Sequence, residues 1–266
     1  MKGRVLIVAG SDSGGGAGIQ ADIKTVTMLD AFAATAITAL TAQNTEGVFG
    51  VLPIAPEFIR QQIEVVLDDI GADAVKTGML HDAGVIEAVA SVLAARASAT
   101  PLVVDPVMVA KGGAPLIEAG AIEALKRLLI PRATVLTPNL PEAEILAGRA
   151  IDSLAAMQGA AERLLGLGCR AVLLKGGHLA GATVYDVLAS AAGPRVWQSP
   201  RIESRHTHGT GCTLASAIAA GLAQGLAVPA AVERAREYVR RAIMSAPGFG
   251  RGHGPLDHAH PLRSRD

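Results

Sequence analysis

Short runs of consecutive aliphatic residues alternate along this chain with longer stretches in which apolar positions recur every three or four residues. Arg4 to Ala9 is aliphatic and β-branched, ends at Gly10, and leads through a glycine-dense turn into a helical pattern from about Ala17 to Leu29. Ala33 to Leu40 and Val48 to Ile54 read as strands, and Pro56 to Asp69 as a helix opened by proline in its first turn. Further short apolar segments at Ala74 to Lys76, Leu102 to Val104, Val135 to Leu136 and Ala171 to Leu174 are separated by helical patterns at Val85 to Ala97, Ile122 to Leu129 and Leu154 to Leu167. Thr183 to Ser190 and Arg195 to Trp197 resemble a hairpin turning at Gly193-Pro194, and helices at Gly211 to Gln224 and Pro229 to Met244 follow.

Continuous apolar strands alternating with helices predict an α/β fold with a mostly parallel central sheet covered on both faces. Right-handed crossovers bring the C-terminal ends of such strands to one edge, where ligands bind. With 266 residues and no Pro/Ser-rich or charged divider, the chain predicts a single domain over 1–266, with the residues after Gly254 as a loosely held tail. Half the residues are hydrophobic but only 3% aromatic, and glycine numbers 30, so the core is expected to be aliphatic with closely approaching backbones. Lys plus Arg equals Asp plus Glu at 24 each, which removes the electrostatic argument for nucleic acid or an anionic membrane and favours a small-molecule ligand. Two cysteines, no signal-like segment and no apolar run of about 20 residues lead to the expectation of a cytoplasmic protein that does not span a membrane.

Candidate chemistry clusters at the strand ends. The loop Gly10-Ser11-Asp12-Ser13-Gly14-Gly15-Gly16-Ala17-Gly18 lacks both the P-loop and the dinucleotide fingerprint, yet a glycine-dense strand end suits close approach to a ligand; its alternative is a flexible turn. Gln43 follows the second strand, and its planar amide matches the ring nitrogen and exocyclic amine of an aminopyrimidine as well as it suits a turn. Asp105 and Glu142 stand where a hydrated Mg²⁺ would meet a nucleotide, although Glu142 also fits as an acid favoured by a helix dipole. Lys175, beside Gly176 and Gly177, suits a phosphate. His208-Gly209-Thr210-Gly211-Cys212 puts a thiol at a helix N-terminus, where backbone N–H groups can hold an anion beside a potentially ionised sulfur; a small buried cysteine at an ordinary loop-to-helix junction is the other reading. Cys169 reads as a core residue, and His253, His258 and His260 as part of a solvated tail rather than a metal site.

Taken in order, the glycine loop running to Ile19-Gln20-Ala21-Asp22, Ala42-Gln43-Asn44-Thr45, Lys76-Thr77-Gly78-Met79-Leu80, Asp105-Pro106-Val107, Thr137-Pro138-Asn139-Leu140-Pro141-Glu142, Lys175-Gly176-Gly177-His178, His208 to Cys212 and the tail motif Gly252-His253-Gly254-Pro255 closely resemble the hydroxymethylpyrimidine/phosphomethylpyrimidine kinases of thiamine biosynthesis, within the wider ribokinase-like kinases. The resemblance spans nearly the whole chain. It implies a three-layer ribokinase-like fold and an ATP- and Mg²⁺-dependent enzyme that phosphorylates 4-amino-5-hydroxymethyl-2-methylpyrimidine and then its monophosphate.

By the same resemblance Gly10, Asp22, Gln43, Met79 and Val107 surround the pyrimidine. Asp105, Asn139, Glu142, Lys175 and Thr210 arrange nucleotide and metal, with Asp105 and Glu142 holding Mg²⁺ through water, and Gly209, Gly211 and Cys212 form the anion hole. Cys212 occupies the place of the aspartate base of many sugar kinases, a replacement shared with pyridoxal kinases. Its thiolate is expected to serve the alcohol step, whereas the phosphate step needs no base. The loop departs from many relatives in lacking a proline after Asp12, which bears on its stiffness. The family often forms homodimers. A pyridoxal kinase and a pyrimidine-binding sensor are the rival readings.

Overall fold

A computed structural model describes residues 1–108 and 117–263 of the chain. Its elements run β1 (Arg4–Asp12), α1 (Gly18–Met28), β2 (Phe32–Gln43), β3 (Val48–Pro53), α2 (Pro56–Asp69), β4 (Ala74–Thr77), α3 (Ala83–Arg96), β5 (Leu102–Val104), α4 (Ala119–Ala124), β6 (Val135–Leu136), α5 (Leu140–Ala147), α6 (Leu154–Leu165), β7 (Ala171–Lys175), β8 (Thr183–Ser190), β9 (Arg195–Pro200), α7 (Thr210–Ala223), α8 (Val228–Met244) and α9 (His260–Arg263). The helix expected over Ile122 to Leu129 is instead α4 followed by a π-helical turn at Leu125–Leu129 and a 3₁₀ turn at Ile130–Arg132, where Pro131 has no N–H to continue the ladder.

The strands form one sheet in the order β3-β2-β1-β4-β5-β6-β7-β8-β9. Strands β2, β1, β4, β5, β6 and β7 are mutually parallel, and β3, β8 and β9 join antiparallel at the two edges. Because side chains alternate across a strand, β1 feeds two cores at once. Leu6 and Val8 pack with Ile59, Ile86, Leu136 and Leu174 on one face; Val5 and Ile7 pack with Val103, Leu173, Ile218 and Val239 on the other. The second core is alanine-rich: α7 buries Ala215, Ala217, Ala219 and Ala220, which lets it lie close against the sheet and α8.

The segment after Gly254 is not the loose tail that its composition suggests. Gly254 accepts a hydrogen bond from the His208 backbone N–H, Asp257 N donates to Ala242 O, and Leu256 and His258 are buried. His258 Nε2 lies 3.0 Å from Thr213 Oγ1 inside α7, so this histidine belongs to the core and not to a solvated tail. Among the described residues no helix is long and apolar enough to cross a membrane.

Candidate active site

The parallel strands end along one rim, and there a cleft of about 780 Å³ opens. Gly10 (near the end of β1), Gln43 (β2), Met79 (after β4), Asp105 and Val107 (after β5), Asn139 and Glu142 (β6 to α5), Lys175 (β7), and Gly209, Thr210, Gly211 and Cys212 (start of α7) all line it. Gln43 and Cys212, far apart in sequence, thus share one cavity. Of the residues that the resemblance assigns to pyrimidine, nucleotide, metal or anion hole, only Asp22 is absent from the cleft wall.

Asp22 sits in α1 with no exposure, paired at 2.8 Å with Lys76 Nζ and accepting a hydrogen bond from Ser216 Oγ at 2.7 Å. It is a buried counter-charge, not a ligand-facing group, and Lys76 in turn reaches the cleft. Burial pushes the Asp22 carboxyl up and works against the Lys76 charge, but the pair and neighbouring Asp105 hold the ammonium protonated. Lys76 carries a signal that sequence reading overlooked: a lysine inside a strand buried on both faces has to bring its own partner.

The glycine loop is tied down by a residue other than its glycines. Asp12 accepts hydrogen bonds from the backbone N–H groups of Gly14 (2.8 Å), Gly16 (3.1 Å) and Ala17 (2.8 Å), and its Oδ2 lies 2.8 Å from His208 Nε2. Although burial opposes it, these partners hold the Asp12 carboxyl below its ordinary value. In place of a flexible turn the loop is a knot tied on Asp12, built without a proline after that residue. At the facing helix Gly209 has φ +82°, and a Cβ there would lie 1.8 Å from Gly16 O; both requirements restrict the position to glycine. This contact seats the first turn of α7 directly on the loop.

Two carboxylates and a lysine converge at the other end. Asp105 Oδ1 lies 3.0 Å from Lys175 Nζ and accepts from Thr137 Oγ1 at 3.0 Å. Glu142 and Asn139 form a reciprocal capping box at the start of α5, the Asn139 N–H donating to Glu142 Oε2 at 2.8 Å and Glu142 N–H to Asn139 Oδ1 at 2.9 Å. Glu142 is thus the helix-terminal acid of the plainer reading and a cleft residue as well. Burial, with Asp105 adding to the effect against Lys175, pushes its carboxyl up to about 7. One ammonium facing two buried carboxylates leaves a negative charge that suits a cation. Lys175 stays charged because Asp105 and Glu142 outweigh its burial. Gly176 N–H donates to Asp186 Oδ1, and Arg201 binds the carbonyls of Gly177, Leu179 and Gly181, fixing the loop beyond β7.

Cys212 is half-buried in the first turn of α7. Burial pushes its thiol up to about 11; Lys76 pulls it down, while Asp22 and Asp105 add to the rise. The sulfur is therefore a thiol at neutral pH, not the ionised group expected from its place at a helix N-terminus. The helix dipole is outweighed by desolvation and by two carboxylates.

The comparisons agree with this geometry. A family model described as phosphomethylpyrimidine kinase matches residues 12–257. Thiamine biosynthesis bifunctional protein ThiED of Geobacter sulfurreducens is 53% identical over 99% of this chain, which spans only 54% of that longer protein. The hydroxymethylpyrimidine/phosphomethylpyrimidine kinase of Bacillus subtilis is 49% identical over 96% of this chain and 94% of its own. Among solved structures, an ADP complex of Bacillus subtilis pyridoxal kinase matches with a TM-score of 0.91 at 36% identity, covering 100% of both chains.

Proposed function

The chain belongs to the phosphomethylpyrimidine kinase family of thiamine biosynthesis and shares its ribokinase-like fold, and we propose that its strand-end cleft passes the terminal phosphoryl group of ATP first to the hydroxymethyl oxygen of 4-amino-5-hydroxymethyl-2-methylpyrimidine and then to the phosphate so formed. The observation that carries this reading is the sharing of one cleft by Gln43, whose amide suits an aminopyrimidine edge, and Cys212, whose helix start suits a transferring phosphoryl group. Residues 1–266 act in it as one kinase domain.

The pyrimidine lies between Gln43, Met79, Val107 and Gly10, and the nucleotide phosphates lie toward Lys175, Asn139 and Thr210. The N–H groups of Gly209, Gly211 and Cys212, at a helix start, stabilise the charge that spreads over the phosphoryl oxygens during transfer. Asp105 and Glu142, short of one positive charge, fit a hydrated Mg²⁺; when bound, that ion neutralises phosphate charge. Cys212, being a thiol, hydrogen-bonds the hydroxymethyl group and holds its oxygen in line, and the alcohol proton passes late to an oxygen of the transferred phosphoryl group, as a loose transition state allows. The second step uses the same cradle on an acceptor that is already anionic.

The likeness to pyridoxal kinase at a TM-score of 0.91 favours one second reading, activity on the hydroxymethyl group of pyridoxal. ADP release measured with ATP, Mg²⁺ and each ring in turn separates the two. A higher kcat/KM for the pyrimidine is expected, and the reverse order, or no ADP with the pyrimidine, overturns the reading. The assembly we infer is a homodimer joined through β3 and α2, which expose Phe49, Leu52, Phe58 and Val65.

A further inference from the structure

We propose that His208 is a positioning residue that fixes the polarity of the Gln43 carboxamide, and through it which way round the pyrimidine is held; the inference rests on the function proposed above. Three steps lead to it.

The first step is the proton on His208. Asp12 is 3% exposed, and its backbone partners are all donors: the N–H groups of Gly14, Gly16 and Ala17. A buried carboxylate in that setting is an acceptor only, so His208 Nε2, 2.8 Å from Asp12 Oδ2, carries a hydrogen.

The second step is the polarity of the amide. The structure places Gln43 Nε2 3.2 Å from Nε2 of the same imidazole and Gln43 Oε1 3.2 Å from Thr41 Oγ1, and the hydrogen bonds around the amide call for the reverse. Nitrogen and oxygen of a carboxamide are distinguished by the bonds they make, not by shape. The single Nε2 hydrogen is directed mainly at Asp12, and a ring nitrogen that carries its hydrogen has no lone pair to accept from an amide N–H, so the end of the amide beside it is oxygen, sharing that hydrogen. At the far end, the Thr41 hydroxyl has a single hydrogen and lies 2.9 Å from Ser11 O, to which it donates; toward Gln43 it therefore accepts, which calls for the amide nitrogen there. The Thr41 end and the His208 end agree on the turned amide: oxygen toward His208, nitrogen toward Thr41.

The third step is what remains for a ligand. One oxygen lone pair is left on the His208 side and one N–H on the Thr41 side. A 4-aminopyrimidine carries a ring-nitrogen acceptor next to an exocyclic amine donor, so it pairs with this amide in one sense only, amine toward His208. Turning the ring over sets donor against donor. Orientation matters because the hydroxymethyl group lies beside the amine on the ring, and it reaches Cys212 from one orientation.

The test compares kcat/KM for the hydroxymethylpyrimidine and for its analogue with hydrogen in place of the 4-amino group, at saturating ATP. Wild type is expected to prefer the amine about tenfold or more, the effect of one well-made hydrogen bond. His208→Phe, which has no N–H, is expected to bring that ratio toward one, chiefly through KM for the pyrimidine, with KM for ATP moving less than about twofold. His208→Gln returns an N–H near the position of Nε2 and is expected to restore the ratio. If the phenylalanine variant does not fold, His208→Asn, smaller and too short to reach Gln43, takes its place with the same expectation. An unchanged ratio alongside uniformly lost activity, or a parallel rise in KM for ATP, gives His208 a packing role and overturns the proposal. Failure of wild type to phosphorylate the pyrimidine defeats the functional reading itself, and is visible before any variant is compared.

Discussion

Lys76 Nζ lies 2.8 Å from Asp22 Oδ2, and neither side chain has any exposure to solvent. Asp22 stands behind the cleft wall and Lys76 reaches it, the pair tied to α7 by Ser216 and acting electrostatically on Cys212. Burying two charges is costly, so their place here is a matter of field and position more than of stability. Lys76→Met leaves Asp22 charged and alone, and a loss of about 3–5 kcal/mol in urea unfolding is expected. The double variant Lys76→Met/Asp22→Leu is expected to recover most of that loss while staying inactive. A double variant that turns over normally contradicts an electrostatic role for the pair.

For Cys212 the two steps of the reaction discriminate between roles. A sulfur that holds the hydroxymethyl oxygen is needed only in the first, so Cys212→Ala should slow that step about 10- to 100-fold and the second by less than about threefold, in single-turnover measurements. A base with its thiol pushed up to about 11 makes log kcat climb with unit slope through pH 7 to 9. The positioning role leaves the first step without that slope. A unit slope that vanishes in Cys212→Ala restores the base mechanism.

The strand ends were readable because each parallel strand stops in residues that are poor in core-forming character: Gln43, Asp105, Asn139 and Lys175 interrupt otherwise aliphatic text. What sequence could not supply was pairing across the fold. Asp22 belongs to the same motif as the glycine loop, but its role depends on Lys76, 54 positions away, and on Ser216, 194 positions away. Asp12 and His208 are 196 positions apart, and the close approach of Gly209 to Gly16 is among the contacts that bring them together. The tail misled for a related reason: Gly252, Gly254 and Pro255 have loop composition, yet the backbones of Gly252 and Gly254 are bonded to Thr45 and His208, and Pro255 is bridged to His208.

Two buried groups give stability opposite dependences on pH. Glu142 has its carboxyl raised to about 7 in the folded chain from 4.5, so the folded state binds the extra proton and this contribution is lost as pH rises from about 4.5 to 7. His258 is lowered to about 4 from 6.5 by burial, so its contribution is lost as pH falls from about 6.5 to 4. In wild type the two slopes offset, and the melting temperature is expected to vary little over that range from these groups. Glu142→Gln unmasks the histidine, and several degrees of extra destabilisation on acidification are expected; His258→Gln unmasks the opposite slope. Scanning calorimetry at pH 5, 6 and 7 checks this. Parallel pH curves for both variants contradict it.

The open edge of the sheet argues for self-association. Strand β3 pairs with β2 on one side only, and most of its residues are exposed, among them Phe49 at 72% and Leu52 at 61%. An apolar edge of this kind is normally blunted by charge or covered, and α2, which follows directly, adds Phe58 and Val65 where a polar outer face would be expected. The carboxamide of Gln43 hangs from the same hairpin, with Gln43 in register with Val48, so covering β3 is expected to steady the end of the cleft we assign to the pyrimidine. Sedimentation velocity at micromolar concentration is expected to show a dimer, and Phe49→Glu/Leu52→Glu to show a monomer whose KM for the pyrimidine is raised severalfold while KM for ATP is held. A wild-type monomer, or a charged variant that stays dimeric, places the interface elsewhere.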